Sequence, residues 1–328
     1  MSHNSKHTWA VVLAAGEGTR LAALTTDSNG VAVPKQFCAF HDDSSLLQDA
    51  MQRALRVVAP ERLCVIVAEH HRKHWRRALR ALPAANVIVQ PRNCGTSNGV
   101  LLATLQVLEQ DPQARILILP ADHYVSNEDA LSASLCEAAE LLATNTHAAE
   151  LFLVGIDPEE ADPELGYIEP GMPDANGTRG VTRFIEKPTV ADARDLITRG
   201  TLWNSFIFGA LGTTLVAMIG RRTPRIVDAM AGVFVSHRGA SARAEAMADL
   251  YEDLPSIDFS RSVLEGAEQQ LRVIRAPACG WSDLGTPRRV AQTLARIEPR
   301  AVSWRRTAFP GSAHINLAVQ HLRLSAAG

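Results

Sequence analysis

Short apolar runs separated by helical patterns dominate the first half of this chain and restrict its fold more than any other feature. The runs fall at residues 9–14, 63–68, 86–89, 115–119 and 151–155. Helical periodicity fills 46–58, 70–82, 98–110 and 128–144. Strands that are apolar throughout must be covered on both faces, and helical crossovers between parallel strands provide that cover. The class is therefore α/β, with a central sheet that is mostly parallel. A chain of 328 residues with 46% hydrophobic composition can bury a core of this kind.

The second half is more mixed. Strands are expected at 181–186, 205–210 and 271–274, and helices at 213–220, 226–235, 240–250 and 286–297. The Pro-, Gly- and acid-rich stretch 157–180 reads as loop with a short strand at 166–169. Weak alternation around Ile315, Leu317 and Val319 predicts one strand in the tail.

Composition excludes several classes. Lys and Arg number 33 against 35 Asp and Glu, so the net charge of −2 gives no basic nucleic-acid surface. No run approaches the roughly 20 apolar residues of a membrane span. The polar first residues and the short apolar run at 9–15 do not fit a secretory leader. Cys38, Cys64, Cys94, Cys136 and Cys279 are scattered, with neither metal-ligand nor disulfide spacing. A cytoplasmic protein with reduced thiols is expected. His70, His71 and His74, among Arg72, Lys73, Arg76 and Arg77, read as a solvated helix face whose buried side carries Trp75, Leu79 and Leu82.

The strongest local signal follows the first strand, in Ala14-Ala15-Gly16-Glu17-Gly18-Thr19-Arg20-Leu21. A strand running into a Gly-rich turn lets phosphates approach backbone N–H donors. The stretch has neither a Walker Gly-Lys-Ser/Thr ending nor the third glycine of a dinucleotide fingerprint. Arg20 offers a fixed fork for phosphate oxygens, and Lys35, after Pro34, a second cation. Asp122 just follows a predicted strand, where open α/β sheets gather ligands, and suits Mg²⁺. Asp283 is the best second carboxylate. His123 reads as an orienting neighbour, not a ligand. Gln90, Asn93, Gly95 and Thr96 follow the third strand, and an amide there can read a nucleobase edge. Asn204 offers both donor and acceptor to a sugar, and Glu169, near Gly166, is a similar candidate.

Taken in order, the motifs resemble the sugar-1-phosphate nucleotidylyltransferases. Gly-Glu-Gly-Thr-Arg-Leu with Pro34-Lys35 is joined by Leu119-Pro120-Ala121-Asp122-His123, Gly166-Tyr167-Ile168-Glu169 and Phe184-Ile185-Glu186-Lys187-Pro188. Trp203-Asn204-Ser205, Ser256-Ile257-Asp258-Phe259 and Trp281-Ser282-Asp283-Leu284-Gly285 complete the set. The Pro-Ala-Asp-His, Trp-Asn-Ser and Trp-Ser-Asp motifs are most similar to the mannose-1-phosphate guanylyltransferase branch. The resemblance implies a nucleotide-diphospho-sugar transferase fold (Rossmann-like, GT-A-like) over residues 8–290. Residues 291–328, too few for a domain, read from their own pattern as a helix and tail that could serve a homodimer contact.

The same resemblance implies an Asp122–Asp283 pair around Mg²⁺, with Glu186 on sugar hydroxyls and Lys187 on the sugar phosphate. GTP and mannose 1-phosphate would give GDP-mannose and pyrophosphate. Three positions depart from the pattern: Cys94 replaces an arginine, Phe206 a glycine and Ala15 a glycine. The first bears on base choice, the second on sugar choice, and the third removes one flexible residue from the phosphate loop. Competing readings are UTP, dTTP or ATP with glucose 1-phosphate, or a non-catalytic nucleotide-sugar-binding regulator. The phosphate loop disfavours a glycosyltransferase that uses a finished nucleotide sugar.

Overall fold

The computed structural model describes residues 6–26, 30–40, 44–144, 148–174 and 177–297. The strand expected near 315–319 lies outside them. One nine-stranded sheet runs through the molecule in the order β3-β2-β1-β4-β8-β5-β9-β7-β6. Its first four strands are β1 (Thr8–Ala14), β2 (Leu63–Ala68), β3 (Val87–Gln90) and β4 (Arg115–Pro120). All pair in parallel, as the apolar runs predicted. Their connections carry α1 (Leu46–Leu55), α2 (Arg72–Trp75) and α3 (Thr96–Gln110).

The sheet then changes character. β5 (Leu151–Ile156) does not join β4, because β8 (Leu202–Leu211) lies between them and is antiparallel to both. β6 (Gly166–Pro173) and β7 (Arg179–Glu186) form an antiparallel hairpin. β9 (Leu271–Arg275) pairs in parallel with β5. The 166–169 strand is thus longer than expected, because its partner β7 extends the pairing.

Helices cover both faces. The core under α3 and α6 (Gly212–Arg222) holds Val11, Ile118 and Phe208, and extends to α7 (Pro224–Ser236) and α8 (Ala240–Asp253) through Met230 and Tyr251. The opposite core holds Val12, Leu119 and Phe152 under α1, α4 (Glu128–Ala143) and α5 (Val190–Thr198). Residues 11 and 12, or 118 and 119, fall in different cores because side chains alternate across a strand. A third cluster packs Leu21 and Phe40 against Leu284, Val290 and Leu294, which docks α9 (Pro287–Arg296) beside the phosphate loop.

Two expectations need correction. The helix over 70–82 is a 3-10 turn, one α-turn and further turns. Trp75 anchors it from below by donating its indole N–H to the Ala68 carbonyl at 2.8 Å. Helix α5 was not expected, although Thr189 and Asp192 carry its start signal: the Thr189 hydroxyl caps the Asp192 N–H. No described helix is long and apolar enough to cross a membrane.

Candidate active site

The parallel strands β1 to β4 all end on one edge, so the loops after them meet there. β1 stops at Ala14 and the chain turns through Ala15, Gly16 and Glu17 to Gly18. Gly18 has φ +65°, and a Cβ on it would stand 2.8 Å from the Lys35 amide nitrogen. Both the left-handed backbone and the close approach require glycine. Thr19 and Arg20 begin a 3-10 turn, and Arg20 is half-exposed with its guanidinium 3.1 Å from Glu164.

Gln36 ties the loop shut from beneath. It is buried, and its amide donates to the carbonyls of Ala14 at 3.0 Å and Gly16 at 2.8 Å. Sequence reading passed over this residue, whose signal is its place beside Lys35 in the Pro-Lys-Gln run.

Lys35 is only 6% exposed, yet its ammonium sits 2.9 Å from the Asp122 carboxylate. It also donates to the Asp283 carbonyl at 2.6 Å. An isolated backbone bridge brings these distant residues together: Tyr124 and Ser282 exchange two N–H···O bonds of 2.9 Å. Burial works to raise the Asp122 carboxyl, but the Lys35 charge, His123 and the hydrogen bonds it accepts together outweigh it, and the group lies below its ordinary range. Asp283 goes the other way. Burial raises it most, against the pull of Lys35. One of its oxygens accepts from the Gly285 N–H at 3.0 Å and from Arg289 of α9. Arg289 also pairs with Asp162. Nothing in the sequence pattern singled out Arg289.

His123 behaves as an orienting neighbour. Burial lowers it to about 4, so it is neutral at pH 7. Its Nδ1 accepts the Trp281 indole N–H at 3.2 Å, which leaves the proton on Nε2, 3.6 Å from Asp122.

The second-half residues gather on one face of the β6–β7–β8 region. Gly166 pairs in register with Glu186, and a Cβ at 166 would meet a Glu186 carboxylate oxygen at 2.6 Å and Asn204 at 3.2 Å. Burial, then the neighbouring Asp258 carboxylate, pushes Glu186 up to about 7, against the opposite pull of Lys187. Lys187 has φ +52° and holds its ammonium 4.0 Å from Glu186. Asn204 accepts from the Phe206 N–H at 3.1 Å and donates to the Ser260 hydroxyl at 3.4 Å.

Phe206, where the family pattern has glycine, keeps the glycine-like backbone at φ +56°. Its ring packs edge-on against Phe208 and Phe259, which offsets that strain. Glu169 does not join this group. It sits an odd number of residues from Gly166, on the opposite face, where Arg199 grips it with contacts of 2.5 to 3.1 Å.

A cavity of about 500 Å³ separates the phosphate loop from the loop after β3, with Glu17, His70, Asn93, Gly95, Thr96 and Asp258 among its lining residues. Gly95 has φ +85°, and a Cβ there would collide with the Ile257 carbonyl at 2.3 Å. Ser97 N–H to Ile257 O at 3.0 Å, and Phe259 N–H to the Thr96 hydroxyl at 2.8 Å, clip the loop to the 256–259 segment.

Two sequence expectations change here, and one holds. Gln90 is buried against Gly99 and does not line the cavity, so its amide is behind the loop and away from a base edge. Cys94 is buried towards the Tyr251 carbonyl, so no cation replaces the family's arginine at that position. His71 is buried and not on a solvated face; His70 stays exposed, and both approach Glu17 of the phosphate loop, at 3.5 and 3.1 Å respectively.

With these positions fixed, known proteins of similar sequence and shape become informative. The mannose-1-phosphate guanylyltransferase of Escherichia coli K12 is 30% identical over 291 residues, covering 85% of this chain and 58% of that protein. The xanthan biosynthesis protein XanB of Xanthomonas campestris is 27% identical over 280 residues, covering 84% of this chain and 57% of its own length. The chain thus spans a little over half the length of these curated relatives. A crystal structure described as mannose-1-phosphate geranyltransferase from Thermus thermophilus superposes with a TM-score of 0.76 at 25% identity, covering 88% of this chain and 80% of that one. The nucleotidyl transferase pattern matches residues 9–298, nearly the whole described region, and the chain belongs to that family.

Proposed function

We propose that the chain transfers a guanylyl group from GTP to mannose 1-phosphate, giving GDP-mannose and pyrophosphate. The observation that carries the reading is Lys35, buried between Asp122 and the Asp283 backbone, at the foot of a glycine-built phosphate loop. The relatives' names support the choice of substrates. Residues 8–290 would form the catalytic unit. A cytoplasmic homodimer is part of the same proposal.

The attacking oxygen belongs to a phosphate monoester, whose second pKa of about 6 leaves it ionised at pH 7, so no general base is required. Catalysis then rests on position and charge. Arg20 and Lys35 would neutralise the triphosphate as the α-phosphate is attacked. Lys187 would hold the sugar phosphate in line, while Glu186 and Asn204 accept from or donate to sugar hydroxyls. Thr96 and Asn93 flank the base side of the cavity.

Nucleotidyl transferases commonly use a divalent metal. The donor set fits Mg²⁺, which takes one or two carboxylates and completes its shell with phosphates and water. Asp122 and Asp283 offer hard carboxylate oxygens, and the Asp122 charge reaches Asp283, whose raised carboxyl would gain from a cation. Bound there, Mg²⁺ would supply charge neutralisation for the phosphoryl oxygens.

The decisive measurement is pyrophosphate release with Mg²⁺ over a grid of GTP, UTP, ATP and dTTP against mannose and glucose 1-phosphates. A dominant GTP–mannose 1-phosphate response is expected. A dominant response elsewhere would keep the chemistry and reassign the pocket. Silence from folded, nucleotide-binding protein would favour the regulatory reading.

A further inference from the structure

The histidine-rich stretch after β2 has a partner that the transfer reading does not use. Among the described residues, Glu17, His70 and His71 are the one group of three or more metal-capable side chains whose ligand atoms all lie within 4.8 Å of one another. His70 Nε2 is 3.1 Å and His71 Nε2 3.5 Å from the same Glu17 oxygen. A tetrahedral ion with ligand bonds of about 2.0–2.1 Å places neighbouring ligands about 3.3 Å apart, so both spacings already suit a bound ion.

The three residues are held by independent elements. Glu17 lies between Gly16 and Gly18 on the loop that Gln36 fastens. His70 and His71 belong to the 3-10 turn that ends β2. Phe37 sets the His71 ring edge-on at 6.0 Å. His71 is more than nine-tenths buried, and its Nδ1 has no hydrogen-bond partner. Burial, and then His70, His74 and Lys73, lower this ring's pKa against the pull of Glu17, which favours the neutral form that ligates metal.

Charge gives a second reason. Glu17 puts a carboxylate in the middle of a loop otherwise built to receive phosphate, and like charges there repel. A cation held by Glu17 turns that repulsion into attraction. Two imidazoles and one carboxylate are the donor set of zinc-class ions and a poor one for Mg²⁺. Glu17 and His70 both line the 500 Å³ cavity, so a fourth ligand would enter from that side.

We propose that Glu17, His70 and His71 form a transition-metal site of the Zn²⁺ class, separate from Asp122 and Asp283, whose open position faces the nucleotide cavity and takes a phosphate oxygen. The phosphate contact rests on the nucleotide reading above; the metal site itself does not.

Co²⁺ titration of the full chain tests it, because low-coordinate Co²⁺ has a visible absorption band. One Co²⁺ per chain is expected, displaced by Zn²⁺ but not by excess Mg²⁺. His70→Ala and Glu17→Gln, at exposed side chains, should each weaken binding about tenfold or more, with far-UV circular dichroism unchanged. His74→Ala should leave it intact. Inorganic pyrophosphate should shift the band. Equal binding in wild type, His70→Ala and Glu17→Gln, or no band at all, would overturn the site. A band indifferent to pyrophosphate would overturn its phosphate role. Tight Co²⁺ binding with a silent substrate grid would keep the site and sink the transfer reading.

Discussion

The parallel and antiparallel halves of the sheet assemble their parts of the site by different rules. In the parallel half, Arg20, Thr96 and Asp122 follow closely on a strand's carboxyl end, so their position along the chain locates them in space. Lys35, on its own 3-10 turn well beyond β1, is the exception. In the antiparallel half, Gly166, Glu186 and Asn204 lie within or at the ends of three strands, and membership depends on which face each one points from. Location there is set by parity and pairing, which one chain does not display.

The comparison can be broken in four ways, in falling order of effect. Lys35→Ala removes the buried cation of the parallel half. It should lower kcat for pyrophosphate release by about 10²–10³-fold, as loss of one transition-state charge donor does. Steady-state rates at saturating substrate check this, and a change below tenfold would remove Lys35 from the chemistry. Gly166→Ala inserts a methyl against Glu186 and Asn204. It should raise KM for the sugar phosphate about tenfold or more, with the nucleotide KM little changed. Equal rises in both constants would break the division between halves.

Glu186 makes a pH test. Its folded carboxyl, near 7, lies above its unfolded value, so its contribution to stability is present at acid pH and is lost as pH rises through 7. Sugar hydroxyls need the ionised form as acceptor. The sugar KM should therefore fall as pH rises from 6 to 8 beyond what the substrate's own ionisation explains, and Glu186→Gln should abolish that excess. A wild-type profile identical to the variant's would refute the assignment. Least of all, Glu169→Gln should change kcat/KM by no more than about twofold and stability by about 0–1 kcal/mol, as for an exposed ion pair. A large loss of activity would return Glu169 to the site.

The same contrast explains what was legible. The strands β1 to β5 and the Gly16–Arg20 turn could be read because apolar runs and glycine spacing are local signals. Gln36 and Arg289 could not, since each acts through a partner defined only by tertiary packing: the undersides of Ala14 and Gly16, and the Asp283 carboxylate. Glu169 was misassigned for the parity reason above. His71 was misread because a helical period was extended through a stretch that winds as 3-10 and isolated turns, which buries its ring and brings it, with the exposed His70, towards Glu17. The shortness of α2 is a packing result, with Trp75 and Leu79 pinned into the core.

The Tyr124–Ser282 bridge also carries a message about time. The adjoining His123–Trp281 bond joins residues 158 apart in sequence. Closing so long a loop carries an entropic cost that earlier contacts must offset, and contacts of this separation slow folding. During synthesis the phosphate loop, Lys35 and Asp122 are complete long before Asp283 leaves the ribosome. The first half can thus organise its glycine-rich edge early, while the Lys35 contact with Asp283 comes into being only when nearly the whole described chain is present. A nascent or truncated chain would hold the loop without its partner, so the finished site itself reports that folding is complete.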